Sequence, residues 1–292
     1  EDADAPIQIA REYSENLWED KINGIWPSEG SVSSAALDYF ANNGFSWTAT
    51  GEEVLFRTLG MPIERDRHGF LYQGEKLYHP WSYFHHHKKI TIFFRDRHLS
   101  DLIGFAYQHL SGQEAVKDLM NRLEKLLKRL PNDTDPIISI ILDGENPWEY
   151  YDKNGLDFLN GWYEVLSHHP HIIPTTPSQY LLLHSQYPVL DQLVPGSWIY
   201  GSFNTWIGHD EKNWAWDQLF LVRRLIAKKE KELDVEQKRE VFNILYQGEG
   251  SDWFWWLGPD NPSIQKKDFK KHFLSLLKKI CDLIGEEYPG EG

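Results

Sequence analysis

Two stretches of this chain turn charged only at their ends: K-I-T-I-F-F-R-D at 89–96 and I-I-S-I-I-L-D-G-E at 137–145. A strand with one wet face alternates apolar and polar residues. A strand that reads apolar along its length is buried on both faces, as in a parallel sheet covered by helices. Two more runs fit the same scheme. G-I-W-P-S-E-G at 24–30 is a short strand stopped by Pro27, which has no N–H to give a ladder, and F-S-W-T-A-T at 45–50 is rich in aromatic and β-branched residues.

Helical patterns lie before and between these runs. Residues 6–18 place Ile9, Tyr13 and Leu17 on one face. Ser31 or Ser33 can cap a helix that runs to Asn42 or Asn43 and closes at Gly44. Residues 99–129 read as helix broken at Gly112, with Leu119, Leu123, Leu126 and Leu127 as the apolar face. Residues 60–87 form a long excursion with room for a small hairpin. The fold class expected is therefore α/β with parallel strands. Past residue 176 the pattern becomes helical, near 177–184, 210–231, 234–248 and 263–285, around a tryptophan-rich loop at 195–209. This sets an expected boundary between domains 1–176 and 177–292.

Composition narrows the function classes. The net charge is -14 over 292 residues. Nucleic-acid binders need basic surface to displace counterions, so this balance argues against nucleic acid, and against anionic membranes for the same reason. No apolar stretch approaches the roughly 20 residues of a membrane-crossing helix. The single cysteine, Cys281, excludes an internal disulfide framework and a cysteine-based zinc site, and leans toward a reducing, cytoplasmic setting. The chain opens on Glu1 rather than Met, and its natural start is expected upstream. Thirteen tryptophans are many for one core, and a groove that stacks flat sugar rings would use them.

Three of the four strands end in acids: Glu29, then Asp96 beside Arg95, then Asp143 and Glu145. Parallel β/α folds gather ligands at the carboxyl ends of their strands, so these acids are expected to converge. Each could instead cap the helix that follows. Carboxylates paired among tryptophans suit glycoside cleavage, in which one acid protonates the leaving oxygen and the other attacks the anomeric carbon or activates water. Metal binding is a weaker reading. His79, His85, His86 and His87 crowd one segment and His168, His169 and His171 another, but no metal-ligand motif appears and neighbours on an extended stretch face opposite ways.

Three segments resemble glycoside hydrolase family 57, the family of α-amylases, amylopullulanases and 4-α-glucanotransferases. They are G-I-W-P-S-E-G-S-V-S at 24–33, I-I-L-D-G-E-N-P-W-E-Y-Y at 140–151 and G-S-D-W-F-W-W-L-G at 250–258. F-F-R-D-R-H-L-S-D-L-I-G-F at 93–105 and P-G-S-W-I-Y-G-S-F-N-T-W-I-G-H at 195–209 support it. The resemblance implies a retaining α-glucan enzyme with Glu29 as nucleophile and Asp143 as general acid/base, Glu145 being the rival for the acid. It implies no cofactor and no metal. Arg95, Asp96, Asp101, Glu145, His209 and Asp252 become candidates to bind sugar hydroxyls. Trp26, Trp148, Trp198, Trp206 and Trp253 become candidate sugar platforms, with Trp255 and Trp256 read as core. The family's catalytic domain is an incomplete seven-stranded β/α barrel whose first strands carry a His-Gln-Pro motif and a second His-bearing segment. Neither motif is present here. The chain thus resembles the later four strands of the barrel plus the helical region beside the active site. The open edge of such a sheet is expected to be covered by another polypeptide or by self-association. Within the family, hydrolase and 4-α-glucanotransferase remain open, and a non-catalytic carbohydrate-binding subunit is the reading from another class.

Overall fold

A computed structural model describes residues 2–85, 88–131, 135–145 and 147–290. It divides into two compact units: residues 7–201 form one, and residues 202–292 together with 1–6 form the other. The division at residue 201 falls later than the 176 read from the sequence. Residues 177–201 stay with the sheet because Val189–Leu190 pairs into it, Gly196 bridges Val32, and Val194 N–H donates to Thr58 Oγ1 at 3.0 Å.

The first unit runs α1 (Asp4–Trp18), β1 (Gly24–Ile25), α2 (Ser34–Asn42), β2 (Trp47–Gly51), α3 (Glu52–Thr58), α4 (Gly74–Leu77), β3 (Trp81–His85), β4 (Lys88–Arg95), α5 (Arg97–Asp101), α6 (Gly112–Leu127), α7 (Leu156–Ser167), α8 (Pro177–Leu183) and β5 (Val189–Leu190). The strand order is β1-β2-β4-β3-β5. Strands β1, β2 and β4 are parallel, as expected. The excursion does hold a hairpin, because β3 lies antiparallel to β4, and β5 runs parallel to β3.

That hairpin corrects the expected fourth strand. β3 takes the edge of β4 from Lys88 to Ile92. The apolar run at 137–143 therefore reaches β4 only beyond it, through one parallel bridge between Arg95 and Ser139. It remains extended and half-buried, tied by Asp96 N–H to Ser139 O at 2.9 Å and by Ile137 N–H to Tyr78 O at 2.9 Å.

The helices follow their local chemistry. Ser33 caps α2 by accepting from Ala36 N–H, and Gly44 ends it at φ +80°. Ser111 and Glu114 form a reciprocal cap on α6, whose Ala115, Val116, Leu119, Met120, Leu123 and Leu126 are buried. Gly112 starts α6 rather than interrupting a longer helix. A Cβ there would stand 2.8 Å from the Phe158 backbone nitrogen, so α7 needs a glycine at this approach. The face of α1 bearing Ile9, Tyr13 and Leu17 is not turned to the core. With Trp18 these side chains are 50–70% exposed, while Ile7, on the opposite side, packs inward.

The second unit is helical: α9 (Asp210–Lys229), α10 (Val235–Gly248), α11 (Ser251–Leu257) and α12 (Lys266–Leu283). Its buried residues include Leu219, Val222, Ile226, Leu245, Phe254, Phe273 and Leu277. Asp2 pairs with Arg223 at 2.6 Å within this unit. Among the described residues no helix is long and apolar enough to cross a membrane.

Candidate active site

The parallel strands β1, β2 and β4 are in register, Ile25 level with Thr48 and Thr48 with Ile92. Their exits therefore lie on one side of the sheet, the side where α/β folds bind ligands. Glu29 sits just past β1 in a tight turn at Ser28–Gly30. Its φ is +53°, a left-handed backbone that a non-glycine residue seldom adopts, and Gly30 follows at φ +58°. The turn is pinned by Thr50 Oγ1, which donates to Gly30 O at 2.6 Å. Backbone strain at a half-buried carboxylate is a common mark of a functional residue.

Trp198 grips this residue twice. Its backbone N–H donates to Glu29 O at 3.1 Å, and its indole Nε1–H donates to Glu29 Oε2 at 2.7 Å. Trp26 meets Trp198 edge-on, ring centroids 4.9 Å apart. The Arg95 guanidinium, at the end of β4, lies 4.9 Å from the Trp198 ring centroid. Arg95 also donates through Nε to Ile141 O at 2.7 Å and pairs through Nη2 with Asp101 at 2.7 Å. Ile141 N–H donates to Ser100 Oγ at 3.2 Å. Asp143 lies two residues beyond this clamp and is half-buried, while Glu145 is exposed. One continuous set of contacts thus joins Glu29, Trp198 and Arg95 to the segment that carries Asp143.

Other candidates stand elsewhere. Asp96 is 1% exposed, and its carboxylate is occupied within the protein: it accepts from Leu99 N–H at 2.9 Å and Tyr78 O–H at 2.6 Å and faces Arg65 at 3.5 Å. It caps α5 rather than presenting itself to a sugar. Trp148 packs on Tyr151 and Phe158. In the helical unit, Trp206 is only 7% exposed and packs against Trp255, whereas Trp255 and Trp256, read as core, are half-buried. Trp253 is half-buried, its Nε1–H donating to Gln247 O at 2.7 Å, and Asp252 is exposed in the first turn of α11. His209 precedes α9, its Nε2 3.8 Å from Asp260. Lys212, fully buried, pairs with that Asp260 at 2.6 Å and donates to Thr205 O, tying the tryptophan-rich loop to the turn after α11. Of the histidines read for metal, His86 and His87 lie outside the described residues. No three His, Cys, Asp or Glu side chains among the described residues come together as a metal-binding group.

A buried carboxylate missed in the sequence closes β2. Glu52 accepts from Arg65 at 2.7 and 2.6 Å and from Arg97 N–H at 3.1 Å. Burial pushes its carboxyl up to about 7, opposed by Arg65 and reinforced by Asp96. The signal was present, since the run T-A-T-G-E-E also turns acidic at its end.

The sequence profile of glycosyl hydrolase family 57 matches residues 1–191, well over half of the chain, which therefore belongs to that family. Among solved structures it resembles a family 57 branching enzyme from Thermococcus kodakaraensis (TM-score 0.74, 15% identity) over 97% of this chain and 62% of that one. It resembles the α-amylase AmyC from Thermotoga maritima to a similar degree (TM-score 0.73, 15% identity, 97% and 62% covered). A 4-α-glucanotransferase from Thermococcus litoralis is also similar (TM-score 0.67, 15% identity), over 94% of this chain and 44% of that one. The chain thus spans under two thirds of the length of each of these structures. No curated protein sequence matches it.

Proposed function

We propose that this chain carries the catalytic carboxylates of a retaining α-glucan-acting glycosidase. Glu29 attacks the anomeric carbon, forming a glycosyl-enzyme as the leaving oxygen takes a proton from Asp143. Asp143 then removes a proton from water or an acceptor sugar, whose oxygen displaces Glu29. The observation that carries this reading is the double grip of Trp198 on Glu29, continued through Arg95 to the Asp143 segment. The half-buried face of Trp26 and the Arg95–Asp101 pair stand beside it as contacts for sugar. Retention asks for carboxyl groups about 5–5.5 Å apart.

Incubation with maltooligosaccharides separates the activities. New reducing ends mark a hydrolase; redistributed chain lengths without them mark a transferase, which one of the similar structures is by name. Binding without either change marks a carbohydrate-binding subunit and overturns the catalytic assignment. Trp198→Phe keeps a ring under Arg95 but removes the donor to Glu29. Its kcat is expected to fall about 10- to 100-fold, the worth of a hydrogen bond to a charged group, with the melting curve little changed. A kcat within about twofold of wild type would separate Trp198 from the chemistry.

The outer edge of β1 and the exposed stripe of α1 support a second element of this reading: another polypeptide, or a second copy, covers them. Sedimentation is expected to show mass above the monomer or association with that polypeptide. A lone monomer with no partner contradicts it. The single cysteine favours a reducing, cytoplasmic setting.

A further inference from the structure

Tyr200 departs from the ordinary rules of folding. Its φ is +55°, a left-handed backbone that a bulky L residue holds only under strain. A single exposed aromatic is common, but this side chain is 82% exposed and so has no packing to offset the strain. The backbone around it is held instead by its neighbours. Gly196 pairs with Val32, and Trp198 N–H donates to Glu29 O. Ile199 N–H donates to Ser197 Oγ at 3.0 Å, and Arg57 donates to Gly201 O. These bonds fix a loop whose effect is to hold the Tyr200 ring outward. Two residues span at most about 7 Å, so its Cα is that close to the Cα of the tryptophan gripping Glu29.

We propose that Tyr200 is a sugar-stacking residue, taking the C–H face of a glucosyl unit next to the one at Glu29 and extending the Trp26–Trp198 pair outward. This rests on the α-glucan reading. An aromatic ring with a polar tip suits the task, apolar on its face and able to hydrogen-bond a hydroxyl at its edge. Its contribution is to select chains long enough to reach it, so maltoheptaose should feel the residue and maltose should not.

The test is calorimetric titration of wild type, Tyr200→Gly and Tyr200→Phe with both sugars, alongside thermal melts. Glycine is at ease with a positive φ, so Tyr200→Gly is expected to raise Tm by about 2–4 °C. It is also expected to weaken maltoheptaose binding about fivefold to tenfold while leaving maltose unchanged. Tyr200→Phe should bind maltoheptaose within about twofold of wild type. A Tyr200→Gly protein that binds maltoheptaose as wild type does, or melts lower because the ring was packed, overturns the role of Tyr200 alone. A wild type that binds no maltoheptaose overturns both this role and the α-glucan reading.

Discussion

Glu29→Gln is expected to lower kcat on maltooligosaccharides by about 10⁴-fold or more, a loss of the size seen when a nucleophile is removed. An amide oxygen can still accept from the Trp198 indole, so the turn at Ser28–Gly30 keeps its anchor while the covalent step is lost. Asp143→Asn is expected to cost about 10²–10⁴-fold on the same substrates, the range for a missing general acid. The two variants part on an aryl α-maltoside, whose leaving group needs no proton. Formation of the glycosyl-enzyme should recover in Asp143→Asn and stay absent in Glu29→Gln. Glu145, exposed two residues further on, should tolerate Gln with little change. Rapid-quench and steady-state rates on both substrates check all three. Recovery of Glu29→Gln, or collapse of Glu145→Gln, would reassign the roles.

Folding stability is expected to fall as pH rises from 4.5 through 7 on account of Glu52 alone. The sign follows from its place. The side chain is 0% exposed, and its carboxyl is raised from 4.5 to about 7 in the folded chain, chiefly by burial. The folded state therefore binds the proton more tightly than the unfolded state does. The resulting stability is full below pH 4.5 and is lost as pH rises through 7. Glu52→Gln fixes the neutral form and should flatten this part of the profile, making the variant the more stable of the two at pH 8. Urea melts at pH 4.5, 6 and 8 measure it. Parallel profiles for the two proteins would mean that Arg65 and Arg97 N–H hold Glu52 ionised throughout.

Strand β4 was legible because burial on both faces writes itself as an apolar run, and β2 because its aromatic and β-branched residues suit a strand; β1, a two-residue edge, was legible only as a short run stopped by Pro27. The Asp143 run was legible as apolar and extended but not as unpaired. Whether it joins β4 depends on β3, which claims the same edge from within a segment rich in Gly, Pro and His. Asp96 and Glu29 look alike in sequence, each an acid after an apolar strand. Only the partners separate them, since Asp96 meets Tyr78 and Arg65 inside the protein while Glu29 accepts from the Trp198 indole at a strained turn. The exposure of the tryptophans was hidden for a related reason. Trp206 and Trp255 differ in exposure through long-range packing, and the tryptophan-rich loop carries no periodicity to foretell it. The α1 stripe was read correctly as apolar, but a pattern states that a face wants cover, not what covers it.

That Glu29 is the nucleophile is tested most directly by trapping the glycosyl-enzyme. A 5-fluoro-α-glucosyl fluoride, whose electron-poor ring slows breakdown of the intermediate, is incubated with the protein, and the digest is mapped by mass spectrometry. The expected result is one glycosyl adduct, on Glu29 in the Trp26–Gly30 turn. An adduct on another carboxylate, or release of product with inverted anomeric configuration, would contradict it.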